Sequence, residues 1–87
     1  MKNTFLSDKN PNLDIYSLSK REWDVLLLLA KDISNKEIAG TLYLANSSIK
    51  AYKRRIGEKL LISGRGELER FARKNSGYLG DQYRRLF

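Results

Sequence analysis

Apolar residues recur at helical spacing along most of this chain, and nowhere do they alternate with the period of two that a half-buried strand requires. Trp23, Leu26, Leu27 and Ala30 stand at i, i+3, i+4 and i+7. They follow Ser19-Lys20-Arg21-Glu22, where a Ser and a Glu three residues apart can satisfy each other's free amides as a capping box. Leu28 and Leu29 widen the stripe, which predicts a helix buried on more than one side. A second box, Ser34-Asn35-Lys36-Glu37, opens a helix through Ile38, Ala39 and Leu42. It is barely two turns long, so only packing on neighbours can hold it. A third helix is predicted from Asn46 or Ser47 to Leu60, with Ile49, Tyr52, Ile56 and Leu60 facing inward. After a turn containing Gly64, a fourth is expected over about 65–74, with Leu68, Phe71 and Ala72 on one face. Asn75, Gly77 and Gly80 are expected to break the remainder, although Tyr78, Leu79, Tyr83, Leu86 and Phe87 leave it more apolar than an ordinary chain end. Residues 1–16 are polar and irregular, with Asn10-Pro11-Asn12 as a turn signal. The pattern predicts an all-α fold, a compact four-helix bundle. An arm or linker over 1–16 precedes a domain over 17–75, and a tail over 76–87 follows it.

Composition narrows the functions open to such a fold. The chain has 87 residues, with no Cys and no His. Disulfides, thiolate metal sites and the commonest general base are therefore missing, and no nucleophile–base pair can be built. Asp8, Asp14, Asp24 and Asp32 show no metal-loop spacing, and Glu22 and Glu37 are read as caps. We therefore expect no enzyme, no metal and no cofactor. The longest apolar run, Val25 to Ala30, is far short of a bilayer span. The first residues lack a secretory core, because Asp8 and Lys9 interrupt it. The expectation is a soluble, cytoplasmic protein that does not engage a membrane.

Charge points to a partner. The formal net charge is +7 from 17 basic and 10 acidic residues. Residues 1–45 carry six of each, so the whole excess lies in residues 46–87. On the third predicted helix Ser47, Lys50, Ala51 and Arg54 fall at i, i+3, i+4 and i+7, roughly 150° from Ile49 at about 100° per residue. Two long bases stand there among small residues. Small side chains let a helix approach a major-groove floor, and long bases reach guanine edges or phosphate. Lys53 and Arg55 flank the stripe, placed for the two backbones, and Glu58 is the helix's only acid. An ordinary solvated face mixes both signs. The second helix, the short connector and the third helix have the order of a helix-turn-helix, with Ala39 small where the two would cross. Trp23 reads as core rather than as a stacking platform, since it lies on an apolar stripe.

Leu18-Ser19-Lys20-Arg21-Glu22-Trp23-Asp24-Val25-Leu26, Ser34-Asn35-Lys36-Glu37-Ile38-Ala39, Ser48-Ile49-Lys50 and Lys59-Leu60 occur in order. Together they resemble the LuxR-type (GerE-like) helix-turn-helix domain, from about Ile15 to Lys74. The resemblance implies a DNA-binding module of bacterial transcription regulators that binds as a homodimer, with the last helix in the dimer contact. Carried over by position, Lys50, Ala51 and Arg54 face the bases, joined by Ser47 from the stripe. Ser48, Tyr52 and Arg55 lie near the backbone with Lys53, while Asn35 and Lys36 touch phosphate. Leu68, Phe71 and Ala72 are the implied dimer contact. Three departures stand out. Ala45 occupies the usual Ser/Thr cap, so Asn46 is expected to cap instead. Tyr52 replaces a frequent His. Leu61 replaces the Gly that usually ends the third helix, so its left-handed cap is expected to be absent or strained.

The reading is a sequence-specific regulator of transcription, or the output domain of a larger response regulator or sensor. Two third helices would occupy successive major grooves about 34 Å apart. RNA polymerase and an N-terminal receiver or sensor domain are further candidate partners. The alternative is a protein-interaction module that sequesters a full-length regulator through the last helix and apolar tail.

Overall fold

A computed structural model describes residues 14–87, and the turn expected at Asn10-Pro11-Asn12 lies outside the described residues. A 3₁₀ turn, Ile15–Ser17, leads into five helices: α1 (Lys20–Leu29), α2 (Asn35–Leu42), α3 (Asn46–Leu60), α4 (Glu67–Lys74) and α5 (Ser76–Leu86). No strand occurs among the described residues. The fold is all-α.

Both capping boxes form. At α1 the Glu22 amide donates to Ser19 Oγ at 3.1 Å, and the Ser19 amide donates to Glu22 Oε1 at 2.8 Å. At α2 the Glu37 amide donates to Ser34 Oγ at 3.1 Å, and the Ser34 amide to Glu37 Oε1 at 2.9 Å. The start of α3 differs from expectation. Asn46 does not cap it; Ala45 holds the cap position in extended backbone, and no side chain bonds to the free amides. The end of α3 takes the strained form of the two expected for its left-handed cap. Leu61 adopts the left-handed conformation (φ 58°, ψ 40°). The Ile62 amide then reaches the Gly57 carbonyl at 2.9 Å, closing the helix as a Schellman turn. Gly57 is required there, because a Cβ would lie 2.8 Å from the Ile62 carbonyl oxygen. Tyr43 closes α2 in the same left-handed form (φ 59°), with the Leu44 amide on the Ala39 carbonyl at 2.9 Å.

Helix α4 begins two residues later than the pattern suggests, because Gly64 and Gly66 both take positive φ and extend the turn. The larger difference follows it. Gly77 and Gly80 do not break the chain; both lie inside α5. Leu79 is fully buried, and Tyr83 packs against Trp23 with ring centroids 6.2 Å apart. Glycine makes a helix less stable by about 1 kcal/mol at each site. Burying one leucine returns roughly 1.5–3 kcal/mol, so tertiary packing decides the outcome.

The core is continuous. Trp23, Val25, Leu26 and Leu29 of α1 meet Ile38 and Ala39 of α2, Ile49, Ile56 and Leu60 of α3, and Leu68, Phe71 and Ala72 of α4. Tyr52, expected inward, is only partly buried. Helix α1 is the hub, touching each of the other four helices. Helix α3 packs on α1 and α2 along its buried side, which fixes its opposite side toward solvent.

Candidate nucleic-acid interface

The outward side of α3 is where the sequence places its cations. Ser47, Lys50 and Arg54 are exposed there, and Ala51 is half-buried beside them. The turn into α3 is held by the left-handed Tyr43, whose ring is 93% exposed. Lys36 is exposed in the first turn of α2, and Asn35 and Ser48 are half-buried.

The bases of α3 divide into two sets that their spacing does not reveal. Lys53 is held: its ammonium donates to Asn35 Oδ1 at 3.2 Å and pairs with the Glu69 carboxylate of α4. Lys59 donates to Glu22 Oε1 at 2.8 Å and to the Ser17 carbonyl at 3.1 Å. Arg55 pairs with the other oxygen of Glu22 at 3.6 Å, and its guanidinium lies 4.6 Å from the centre of the Tyr52 ring. Lys50 and Arg54 have no hydrogen bond or ion pair among the described residues. The two base-reading candidates are thus the cations of α3 left without a counter-charge. Three others serve wholly or partly to fasten α3 to its neighbours.

Glu22 and Glu69 make that division. Glu22 is only 4% exposed. Burial pushes its carboxyl up, but hydrogen bonds from Lys59 and the Ser19 amide, with the charges of Lys59 and Arg55, outweigh this. Its pKa lies below the ordinary carboxylate value. Glu69 behaves alike: burial raises it, while the hydrogen bond from Lys53, its own backbone amide and the charges of Lys53 and Arg73 bring it lower. Both stay ionised and fix the bases opposite them. Glu22 reads from sequence only as a cap, and its second role was hidden. A carboxylate 37 residues from Lys59 carries no spacing signal.

Leu68, Phe71 and Ala72 of α4, the implied dimer contact, are buried in this chain's own core. An eight-residue helix has one apolar stripe, and here that stripe closes the bundle. Its outward side carries Arg70, Arg73 and Lys74, with Arg70 against Glu67 and Arg73 against Asp32 of the loop after α1.

Among the described residues no group of three or more His, Cys, Asp or Glu could hold a metal ion, and no helix is long and apolar enough to cross a membrane. An open groove of about 750 Å³ runs from Lys53 and Arg54 past Gly57 to the loop between α3 and α4.

Comparison with known proteins gives a consistent result. The family model of bacterial regulatory proteins of the luxR family (GerE) matches residues 16–72. The chain is 40% identical over 68 residues to the virulence-factor positive transcription regulator BvgA of Bordetella pertussis, covering 78% of this chain and 32% of that one. It is 42% identical over 57 residues to the oxygen regulatory protein NreC of Staphylococcus carnosus, covering 66% and 26%. Against NreC of Staphylococcus aureus it is 38% identical over 77 residues, covering 83% and 36%. The match thus spans between about a quarter and a third of the length of these relatives. No solved structure matches it.

Proposed function

The chain belongs to the luxR family of bacterial regulatory proteins, and we propose that it is a sequence-specific double-stranded DNA-binding unit of a transcription regulator. Helix α3 enters the major groove with Ser47, Lys50, Ala51 and Arg54 toward the base edges. Asn35, Lys36, Ser48, Tyr52 and Arg55 lie toward the phosphates. Two copies bind together, one per half-site, and the protein works in the cytoplasm, where bacterial DNA is found. The regulators BvgA and NreC are more than twice as long, so a receiver or sensor domain, and RNA polymerase, belong to this proposal as partners of the whole protein.

One observation carries the reading: Lys50 and Arg54 are cations on an exposed helix face with no partner among the described residues, while their neighbours are neutralised by buried Glu22 and half-buried Glu69. A cation without a counter-ion keeps its full attraction for phosphate or a guanine edge. Lys53 would have to leave Glu69 to reach a phosphate, so its contribution to DNA affinity is smaller than its charge suggests. The alternative is capture of a full-length regulator through the last helix and apolar tail; the apolar residues of α4 lie in the core, while Tyr78, Leu86 and Phe87 are exposed.

The test is binding to duplex DNA followed by fluorescence anisotropy at several salt concentrations. Arg54→Ala is expected to cost about 1–3 kcal/mol and to relax discrimination among operator variants. Lys50→Ala should lower the salt slope by about one unit, and Lys53→Ala by less, because Glu69 already holds that charge. Equal discrimination by wild type and Arg54→Ala would overturn the base-reading assignment.

A further inference from the structure

Lys53 and Arg55 flank the row Ser47, Lys50, Arg54 on either side, and spacing alone gives them the same part. Their surroundings do not. The Arg55 side chain is 44% exposed and stands 3.6 Å from Glu22. That of Lys53 is only 23% exposed, enclosed between the start of α2 and the start of α4. An ammonium has three N–H donors and no acceptor. One donor of Lys53 goes to Asn35 Oδ1 at 3.2 Å, and the Glu69 carboxylate takes another. Glu69 lies in the first turn of α4, where the helix dipole favours a negative charge. The hydrogen bond and charge of Lys53 also help to hold its carboxyl below the ordinary carboxylate value. The ammonium therefore faces a full opposite charge and is anchored by it.

The same contact sets the orientation of Asn35. Lysine can only donate, so the carboxamide must turn its oxygen to Lys53 and its NH₂ group the other way. A flipped amide would set two N–H groups against an ammonium. The Asn35 NH₂ has no hydrogen-bond partner among the described residues, and it is not buried, so it is open to solvent. Asn35 is the first residue of α2, between the Ser34 cap and exposed Lys36, and α2 packs on α3. A free, oriented donor thus stands at the start of the helix that braces α3.

We propose that Lys53 is a positioning residue: anchored by Glu69, it holds the Asn35 carboxamide with the NH₂ group turned outward as a neutral hydrogen-bond donor to a DNA phosphate. The proposal rests on the reading of this surface as a DNA interface. It gives Lys53 a part other than the phosphate contact that its spacing suggests. The two parts have different signatures. A cation on a phosphate releases counter-ions, so its removal lowers the salt slope by about one unit. A neutral amide releases none, so its removal weakens binding and leaves the slope alone. Lys53 acting through Asn35 must show the second pattern although it carries a charge.

Binding of the full chain to labelled random duplex DNA, followed by anisotropy over a range of salt, tests this. Lys53→Met is combined with Glu69→Gln, so that no lone carboxylate is left beside the DNA. This pair variant and Asn35→Ala should each weaken binding roughly three- to tenfold, with the wild-type slope. In the Asn35→Ala background the pair variant should cause no further loss of DNA affinity. Its lower urea midpoint should persist in both backgrounds, which separates positioning from a merely structural role. Asn35→Asp keeps an oxygen for Lys53, and with it the fold, but replaces the donor by an anion; it should bind more weakly than Asn35→Ala. A slope lowered by a full unit in the pair variant would put Lys53 itself on a phosphate and overturn the proposal. Losses that multiply when the variants are combined would do the same, as would wild-type affinity in Asn35→Asp. In each of these cases salt-dependent binding by wild type leaves the DNA-binding reading standing. If wild type shows no salt-dependent binding, that reading fails and the positioning role falls with it.

Discussion

At the scale of single residues, Glu22 does most to fix the charged surface. It caps α1 through Ser19, and its two oxygens hold Lys59 and Arg55 of α3. One buried carboxylate thereby joins two helices and withdraws two cations from the outer field. Removing its charge while keeping its shape should expose both effects. Glu22→Gln is expected to lower stability at pH 7 by about 1.5–3 kcal/mol, the range for a hydrogen bond to a charged group. The folded carboxyl has a pKa below its unfolded value, near 4.3. Its contribution is therefore complete above that value and is lost as the pH falls through the lower, folded one. Urea denaturation at pH 7, 5 and 3 checks this: the gap between wild type and Glu22→Gln should be constant at the two higher values and shrink at the lowest. A gap unchanged at pH 3 would mean that Glu22 acts through packing and not through charge. Sequence could show Glu22 as a cap, because a capping box is local. Its bonds to Lys59 and Arg55 depend on how α1 crosses α3, which no spacing along the chain records.

At the scale of elements, the sequence was most legible where a helix start is written in adjacent residues. Both capping boxes form as spelled, and the stripe from Ile49 through Ile56 to Leu60 places α3 correctly. Legibility failed where backbone geometry overrides side-chain habit. Leu61 and Tyr43 take left-handed conformations that cost an L-residue about 1–2 kcal/mol. They are held there by the carbonyls that their own turns must satisfy. Asn46, a good capping type, is drawn into the first turn of α3, and the cap falls to Ala45, which has nothing to offer the free amides. A better residue at that position should therefore stabilise the fold. Ala45 already has the extended backbone of a cap (φ −77°, ψ 154°) and an exposed side chain. Ala45→Ser is expected to raise stability by about 1 kcal/mol, read as a higher urea midpoint at unchanged slope. No gain would indicate that Asn46 or water already satisfies those amides in solution. Ala45 lies outside the row Ser47, Lys50, Arg54, so base discrimination should stay as in wild type.

At the scale of the whole molecule, the division of labour follows from size. A chain of 87 residues buries only about 60% of its unfolded surface, so few apolar side chains can be left for other purposes. This is why Leu68, Phe71 and Ala72 are packed into the core, and why a fifth helix is recruited to cover α1. The sequence held the evidence for that helix, since Leu79, Tyr83 and Leu86 recur at i, i+4 and i+7. Two glycines weighed against it, and only the presence of Trp23 and Asp24 on the adjoining face of α1 tips the balance. Tyr83 packs its ring against the former and donates its hydroxyl to the latter at 3.0 Å. If α5 is part of the fold rather than an appendage, its buried leucine must matter as a core residue does. Leu79→Ala is expected to cost about 2–5 kcal/mol, as for other fully buried leucines, whereas Arg84→Ala on the outer side should stay within about 0.5 kcal/mol. Urea denaturation followed by Trp23 fluorescence measures both, because the indole lies beneath the helix in question. A near-neutral Leu79→Ala would mean that 76–87 docks too weakly to support the bundle. A large loss would make α5 as much a part of the cooperative unit as the helices that present Lys50 and Arg54.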